Sequence, residues 1–152
     1  MPAQKENETT ARKYFLSGYN CAQSVFLTYA KKYGFNKETA LKLSSSFGGG
    51  MGRMREVCGA VSAMFMIAGL AKGYTENNND EAKAQHYKLI QSLANKFKEK
   101  NETIICRELL GLDIDDNPIP SKRTAKYYED RPCEQFIADA CNIIDELISE
   151  QD

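Results

Sequence analysis

One segment constrains the fold more than any other. Val57 to Ala71, VCGAVSAMFMIAGLA, is apolar nearly all round. A helix with no polar face has to be covered on every side, so this segment reads as the centre of a bundle. It contains Ser62 and two glycines and is too short to span a bilayer. Gly59, Ala60, Ala63, Ala68 and Gly69 carry little side-chain bulk, so neighbouring backbones are expected to come close along it. The helix is placed at about residues 56–72.

The punctuation around it is helical. A first helix covers roughly Lys5 to Leu16 and stops at Gly18. Asn20 with Gln23 three residues later forms a capping box, which puts Cys21 on the first residue of a second helix. That helix carries Ala22, Val25, Phe26 and Tyr29 on one face and ends at Gly34. Asn36 starts a short helix through Ala40, Leu41 and Leu43, which runs into the cluster Phe47-Gly48-Gly49-Gly50-Met51-Gly52.

Beyond the central segment, Asn77-Asn78-Asn79-Asp80 caps a long helix ending near Asn101, with Tyr87, Ile90, Ala94 and Phe97 inward. Thr103 is read as the cap of a short helix bearing Cys106, Leu109 and Leu110, closed by Gly111. Residues 112–131, with Asp113, Asp115, Asp116, Pro118 and Pro120, form a long surface connection with a short helical turn near Tyr127. Pro132 suits a helix start, and the last helix runs from Cys133 to about Ser149 with the stripe Cys133, Ile137, Ala140, Ile144 and Leu147. No strand alternation and no internal repeat appears. The expected fold is all-α: one helical domain over residues 1–152, a compact bundle of about five to seven helices around the central one.

Four of the five cysteines fall where helices begin: Cys21, Cys58, Cys106 and Cys133. The N-terminal end of a helix presents unpaired N–H groups and the positive end of the dipole, which favour a thiolate. Their thiol pKa values are therefore expected below the free value of about 8.5. Cys141, in the middle of the last helix, is read as core, with an ordinary or raised value.

Lys+Arg 20 against Asp+Glu 21 leaves a net charge of -1, which gives no support to a nucleic-acid partner. The hydrophilic opening MPAQKENETT lacks the apolar run of a signal peptide, and a cytoplasmic, membrane-free protein is expected. An odd cysteine count in a reducing compartment points away from a disulfide framework. The single histidine excludes a His-rich metal site, and the absence of any CxxC pair excludes the thioredoxin motif and zinc ribbons.

FGGGMGRMR places Arg53 and Arg55 beside glycines, but its spacing matches neither dinucleotide-binding nor P-loop patterns. Its alternatives are a tight packing turn, or backbone N–H groups that bond to a thiolate or sulfide. On that last reading Gly48, Gly49, Gly50, Gly52 and Gly59 would contact a cofactor. His86 is assigned to a solvated or half-buried helix face, and the loop aspartates lack calcium-loop spacing.

The order NCAQ, then FGGGMG with CGAVSA, then CRELLG, then RPC before an apolar C-terminal helix resembles the C_GCAxxG_C_C family of redox-active proteins, from about Ala11 to Leu147. The resemblance maps the four signature cysteines onto Cys21, Cys58, Cys106 and Cys133, and the start of the C-G-A-x-x-G motif onto Cys58 to Ser62. Its final glycine is Ala63 here. What the resemblance implies is one shared redox or metal site built from those four residues.

Three functions follow. The four thiolates hold an iron–sulfur cluster, or second to it zinc, and exchange electrons with an unidentified partner protein. Alternatively, two or more of them form a reversible dithiol–disulfide pair without metal. Or the chain is a helical interaction module whose cysteines are structural.

Overall fold

Asparagine caps set where several helices begin. The Asn20 side chain accepts the Gln23 N–H, and the Gln23 side chain accepts the Asn20 N–H in return. That reciprocal box satisfies donors that a helix start leaves unpaired. Asn36, Asn79 and Thr124 each cap a later helix with a single bond. The computed structural model describes residues 2–111 and 113–149. Its helices are α1 (Pro2–Leu16), α2 (Cys21–Ala30), α3 (Lys37–Ser45), α4 (Gly59–Lys72), α5 (Asp80–Asn101), α6 (Cys106–Leu110), α7 (Ala125–Asp130) and α8 (Cys133–Ser149). A 3-10 turn over Lys31–Tyr33 finishes α2 at left-handed Gly34. Gly48–Met51 forms a helical turn with positive φ at Gly49 and Gly50. No strand occurs among the described residues, only an isolated bridge between Val57 and Ile105. The fold is all-α.

The apolar segment is the centre, as its composition requires. α4 packs against α2, α5 and α8, and α1 closes the bundle against α8 and α2. Ala60, Val61, Ala63, Met64, Ile67 and Ala68 are all fully buried. Ala63 is therefore accommodated where the motif carries glycine. Close approach occurs at one end of the helix only. A Cβ on Gly59 would lie 2.7 Å from Cys21 Sγ and 2.8 Å from the Phe47 carbonyl oxygen, whereas one on Gly69 would meet nothing within 4 Å.

Several boundaries and faces differ from expectation. α4 starts at Gly59 rather than near residue 56, because the residues before it pair with the segment leading into α6. Cys58 N–H donates to the Ile104 carbonyl (2.8 Å), and the N–H groups of Cys106 and Arg107 donate to the carbonyls of Glu56 (2.6 Å) and Arg55 (3.1 Å). The cap of α6 is Ile105, not Thr103, whose hydroxyl instead accepts the Ile105 N–H. Tyr87 is 53% exposed rather than inward, its hydroxyl 2.9 Å from that of Tyr74. The buried face of α5 is Leu93, Ala94 and Phe97, further along the helix.

Leu112, the first residue of the long connection, lies outside the described residues. The remainder carries α7 at the predicted turn near Tyr127. The connection is fastened by Arg123, which donates to the carbonyls of Phe15 (3.0 Å) and Tyr19 (3.1 Å). Its guanidinium lies 4.6, 5.0 and 5.8 Å from the ring centroids of Phe15, Tyr127 and Tyr128.

Candidate functional site

Each of the four cysteines stands at a helix start. Cys21, Cys106 and Cys133 are the first residues of α2, α6 and α8, and Cys58 is the N-cap of α4. The tertiary fold brings these four starts together: all four cysteines line one cavity of about 50 Å³, a space for a few water molecules. Phe15, Leu109 and Phe136 form its apolar wall, and Arg55, Arg123, Tyr127 and Arg131 its polar one. No disulfide joins any of the five cysteines; Cys21, Cys58 and Cys106 are buried and Cys133 is half-buried.

The glycines make this convergence possible, chiefly by lacking a Cβ. At Gly50, φ +72°, an added Cβ would lie 2.6 Å from Cys106 Cβ and 2.8 Å from Arg55 Cα. A Cβ at Gly48 would collide with the Asn20 side chain that caps α2. Gly49 and Gly59 line the cysteine cavity, while Gly48 and Gly52 line the neighbouring one. The Gly52 N–H donates to the Gly48 carbonyl, and those of Met51, Arg53, Arg55 and Glu56 also bond within the turn. These five donors serve the turn's own geometry rather than a sulfur.

Burial, not the helix dipole, governs the thiols. Desolvation raises the Cys58 thiol well above its ordinary value, and the negative form of Cys21 opposes ionisation further. The N–H groups of Val61 and Ala60 at the start of α4 pull the other way, so the helix-end effect is present but loses. Burial also raises Cys106, against the pull of Arg55, whose Nη1 lies 3.8 Å from Cys106 Sγ. Cys133 is pushed up to about 12, by burial first and then by Cys21 and Cys106. The expectation of lowered values at helix starts is thus overturned for these three: burial costs a thiolate more than one helix end returns.

Arg55 is the least expected member of the site. It is 3% exposed, its Nε donates to the Asp115 carbonyl (2.9 Å), and its Nη2 has no hydrogen-bond partner among the described residues. The sequence reading placed Arg55 and Arg53 in the glycine loop but had no place for Arg123 or Arg131. The one local sign of them was Arg131 standing two residues before Cys133.

Among the described residues, no three of His, Cys, Asp or Glu stand where they would hold a metal ion. Four thiols on one cavity equal in number the usual ligand set of an iron–sulfur cluster. Cys141 lies apart. It is fully buried, and the Tyr29 hydroxyl lies 3.0 Å from its carbonyl and 2.8 Å from Asp145 Oδ1. No helix among the described residues is long and apolar enough to cross a membrane.

The family model described as "Putative redox-active protein (C_GCAxxG_C_C)" matches residues 19–147. No curated protein and no solved structure matches the chain. The match covers most of the sequence, and the chain belongs to that family.

Proposed function

We propose that this member of the C_GCAxxG_C_C family uses Cys21, Cys58, Cys106 and Cys133 as one cytoplasmic redox site that holds an iron–sulfur cluster and exchanges electrons with a partner protein. The observation that carries the reading is the convergence of four helix starts, each bearing a cysteine, on a single cavity. Four thiolates are the usual ligand set for two-iron and four-iron clusters, which supply one-electron chemistry when bound.

The chain's own residues do the rest. Phe15, Leu109 and Phe136 put apolar surface beside the sulfurs, which favours a less charged oxidation state over a more charged one. Arg55, Arg123 and Arg131 offset the negative charge that four thiolates bring. Arg55 Nη1 already sits at Cys106 Sγ. Because burial holds three of the thiols protonated, ligation displaces those protons, so loading strengthens as pH rises.

Anaerobic purification followed by iron and sulfide analysis and a visible absorption spectrum tests this. The expected result is iron and acid-labile sulfide in near-equal amounts with charge-transfer absorption. Protein free of both, even after anaerobic reconstitution with iron and sulfide, overturns it.

A second reading rests on Cys21. It lines the same cavity as Cys58, Cys106 and Cys133, all of them free thiols. In a metal-free dithiol switch, Cys21 and one partner would give two electrons and two protons to an oxidised partner protein and form one S–S bond. Metal-free protein that loses two mass units reversibly at one cysteine pair selects this reading.

A further inference from the structure

A second cavity, of about 250 Å³, adjoins the cysteine cavity. The two share Asn20, Gly49, Arg55, Arg123, Tyr127 and Arg131 as lining residues. Arg53 completes the second cavity's cationic wall, so four arginines border one space, and no Asp or Glu is among its lining residues. Arg53 pairs with Asp115, a carboxylate 3.6 Å away and 60% exposed, and its guanidinium also meets Asn117 Oδ1 and Ser121 Oγ. Arg123 has its Nη1 and Nη2 on carbonyls and its face on aromatic rings, and so contributes charge more than donors. The Arg131 guanidinium lies 5.0 Å from the Tyr127 ring centroid.

Arg55 supplies the independent sign of a ligand. It is 3% exposed, it borders both cavities, and its Nη2 has no hydrogen-bond partner among the described residues. Burying a charged N–H without an acceptor is unfavourable, and an anion in the adjoining space relieves it. Guanidinium groups match the oxygens of phosphate and related oxyanions in geometry as well as in charge. The glycine turn leaves the opposite wall open: Gly49 and Gly52, both at positive φ, place no side chain in the space.

The geometry points to this cavity as a binding site for a multiply charged oxyanion, free or as the phosphate group of a small organic molecule, held beside the cysteines. It rests on the redox reading only for what the anion would meet there; the binding itself depends on the arginines.

Isothermal titration of the reduced protein with inorganic phosphate, sulfate and glycerol 3-phosphate, against chloride at matched ionic strength, tests the site. Saturable binding of at least one oxyanion is expected, with no saturable response to chloride. R131Q and R53Q, each confirmed folded by its thermal melt, should weaken that binding about tenfold, the loss typical of one charged hydrogen bond. R131K should recover part of it, and K42Q, at an exposed lysine outside the cavity, should leave it unchanged. Tighter binding of the ester than of phosphate identifies an organic ligand; equal or weaker binding identifies the free oxyanion. Absence of saturable oxyanion binding, or R131Q and R53Q that both bind like wild type, overturns the assignment. Protein that binds phosphate but no iron keeps this site and loses the cluster; protein that holds iron but binds no oxyanion does the reverse.

Discussion

Two thiols in the same helix, α8, occupy contrasting environments. Cys133 begins the helix at the cavity shared with three other cysteines, with Arg123 and Arg131 alongside. Cys141 sits further along it, fully buried among the core residues, with Tyr29 and Asp145 as its polar neighbours. Burial pushes both thiols to about 12. The shift alone therefore does not separate a site from a core residue. What separates them is company: Cys133 is opposed by two other sulfurs and eased by arginines, whereas the Tyr29 hydroxyl eases Cys141 and Asp145 opposes it. The site end also keeps a cavity and an unpartnered cation, while the core end is packed and its spare polar atom, Asp145 Oδ2, is anionic or neutral with pH.

Serine substitution gives the sharpest contrast. Cys21→Ser, Cys58→Ser, Cys106→Ser or Cys133→Ser should each remove most of the bound iron after anaerobic reconstitution, since a hydroxyl is a poor and largely protonated ligand. Cys141→Ser should keep the iron and lose only about 1–3 kcal/mol of stability through burial of a polar group. If Cys141→Ser lost as much iron as Cys21→Ser, the contrast between the two ends of α8 would fail.

Next in size is Gly59→Ala. The new methyl would lie 2.7 Å from Cys21 Sγ and 2.8 Å from the Phe47 carbonyl, so a destabilisation of about 1–3 kcal/mol is expected in urea melts. Gly69→Ala, in open space on the same helix, should be neutral or slightly stabilising. Equal effects at the two positions would remove the steric argument for the site end.

Alkaline titration addresses both thiols. In the metal-free protein the folded values of Cys58, Cys106, Cys133 and Cys141 lie above the unfolded one. The sign is that of a group whose folded pKa is raised: its contribution is complete below about pH 8.5 and is lost as pH climbs toward 12. Stability should therefore fall across that window, and site-by-site iodoacetamide labelling of these four should rise only above pH 8.5. Labelling of Cys58, Cys106 or Cys133 that reaches its plateau below pH 8 would restore the helix-dipole expectation.

The smallest effect belongs to the core end. Burial raises the Asp145 carboxyl, against the hydrogen bonds from Asn7 and Tyr29. A raised acid favours folding at low pH and opposes it as pH rises through the folded value. Asp145→Asn should thus stabilise at pH 7 and lose its advantage near pH 3. Because the hydrogen bonds from Asn7 and Tyr29 offset much of the cost of burial, the gain should stay below about 1 kcal/mol in melts at the two pH values. Destabilisation at pH 7 would mean that the carboxylate's hydrogen bonds outweigh its burial.

Much of the bundle was legible because it is written in neighbouring residues. The Asn20–Gln23 box, the Asn36 cap, Gly34 at a left-handed C-terminus and the stripe of α8 act within a turn or two of chain. The same local chemistry puts a cysteine at the start of each of four helices. Where the reading failed, a distant segment decided. α4 starts late because Val57 bridges to Ile105, and Tyr87 is exposed because the packed face of α5 begins further along. The thiols of Cys58, Cys106 and Cys133 are raised rather than lowered because neighbouring segments bury them.

By itself, then, the sequence determined helix positions, the central apolar element and the placement of four cysteines at helix starts, since capping and periodicity are short-range effects. Only the tertiary structure decided that those starts meet, that Arg55, Arg123 and Arg131 meet them, and that Cys58, Cys106 and Cys133 are held neutral. Desolvation and charge act through space, and the residues that produce them here are far apart along the chain.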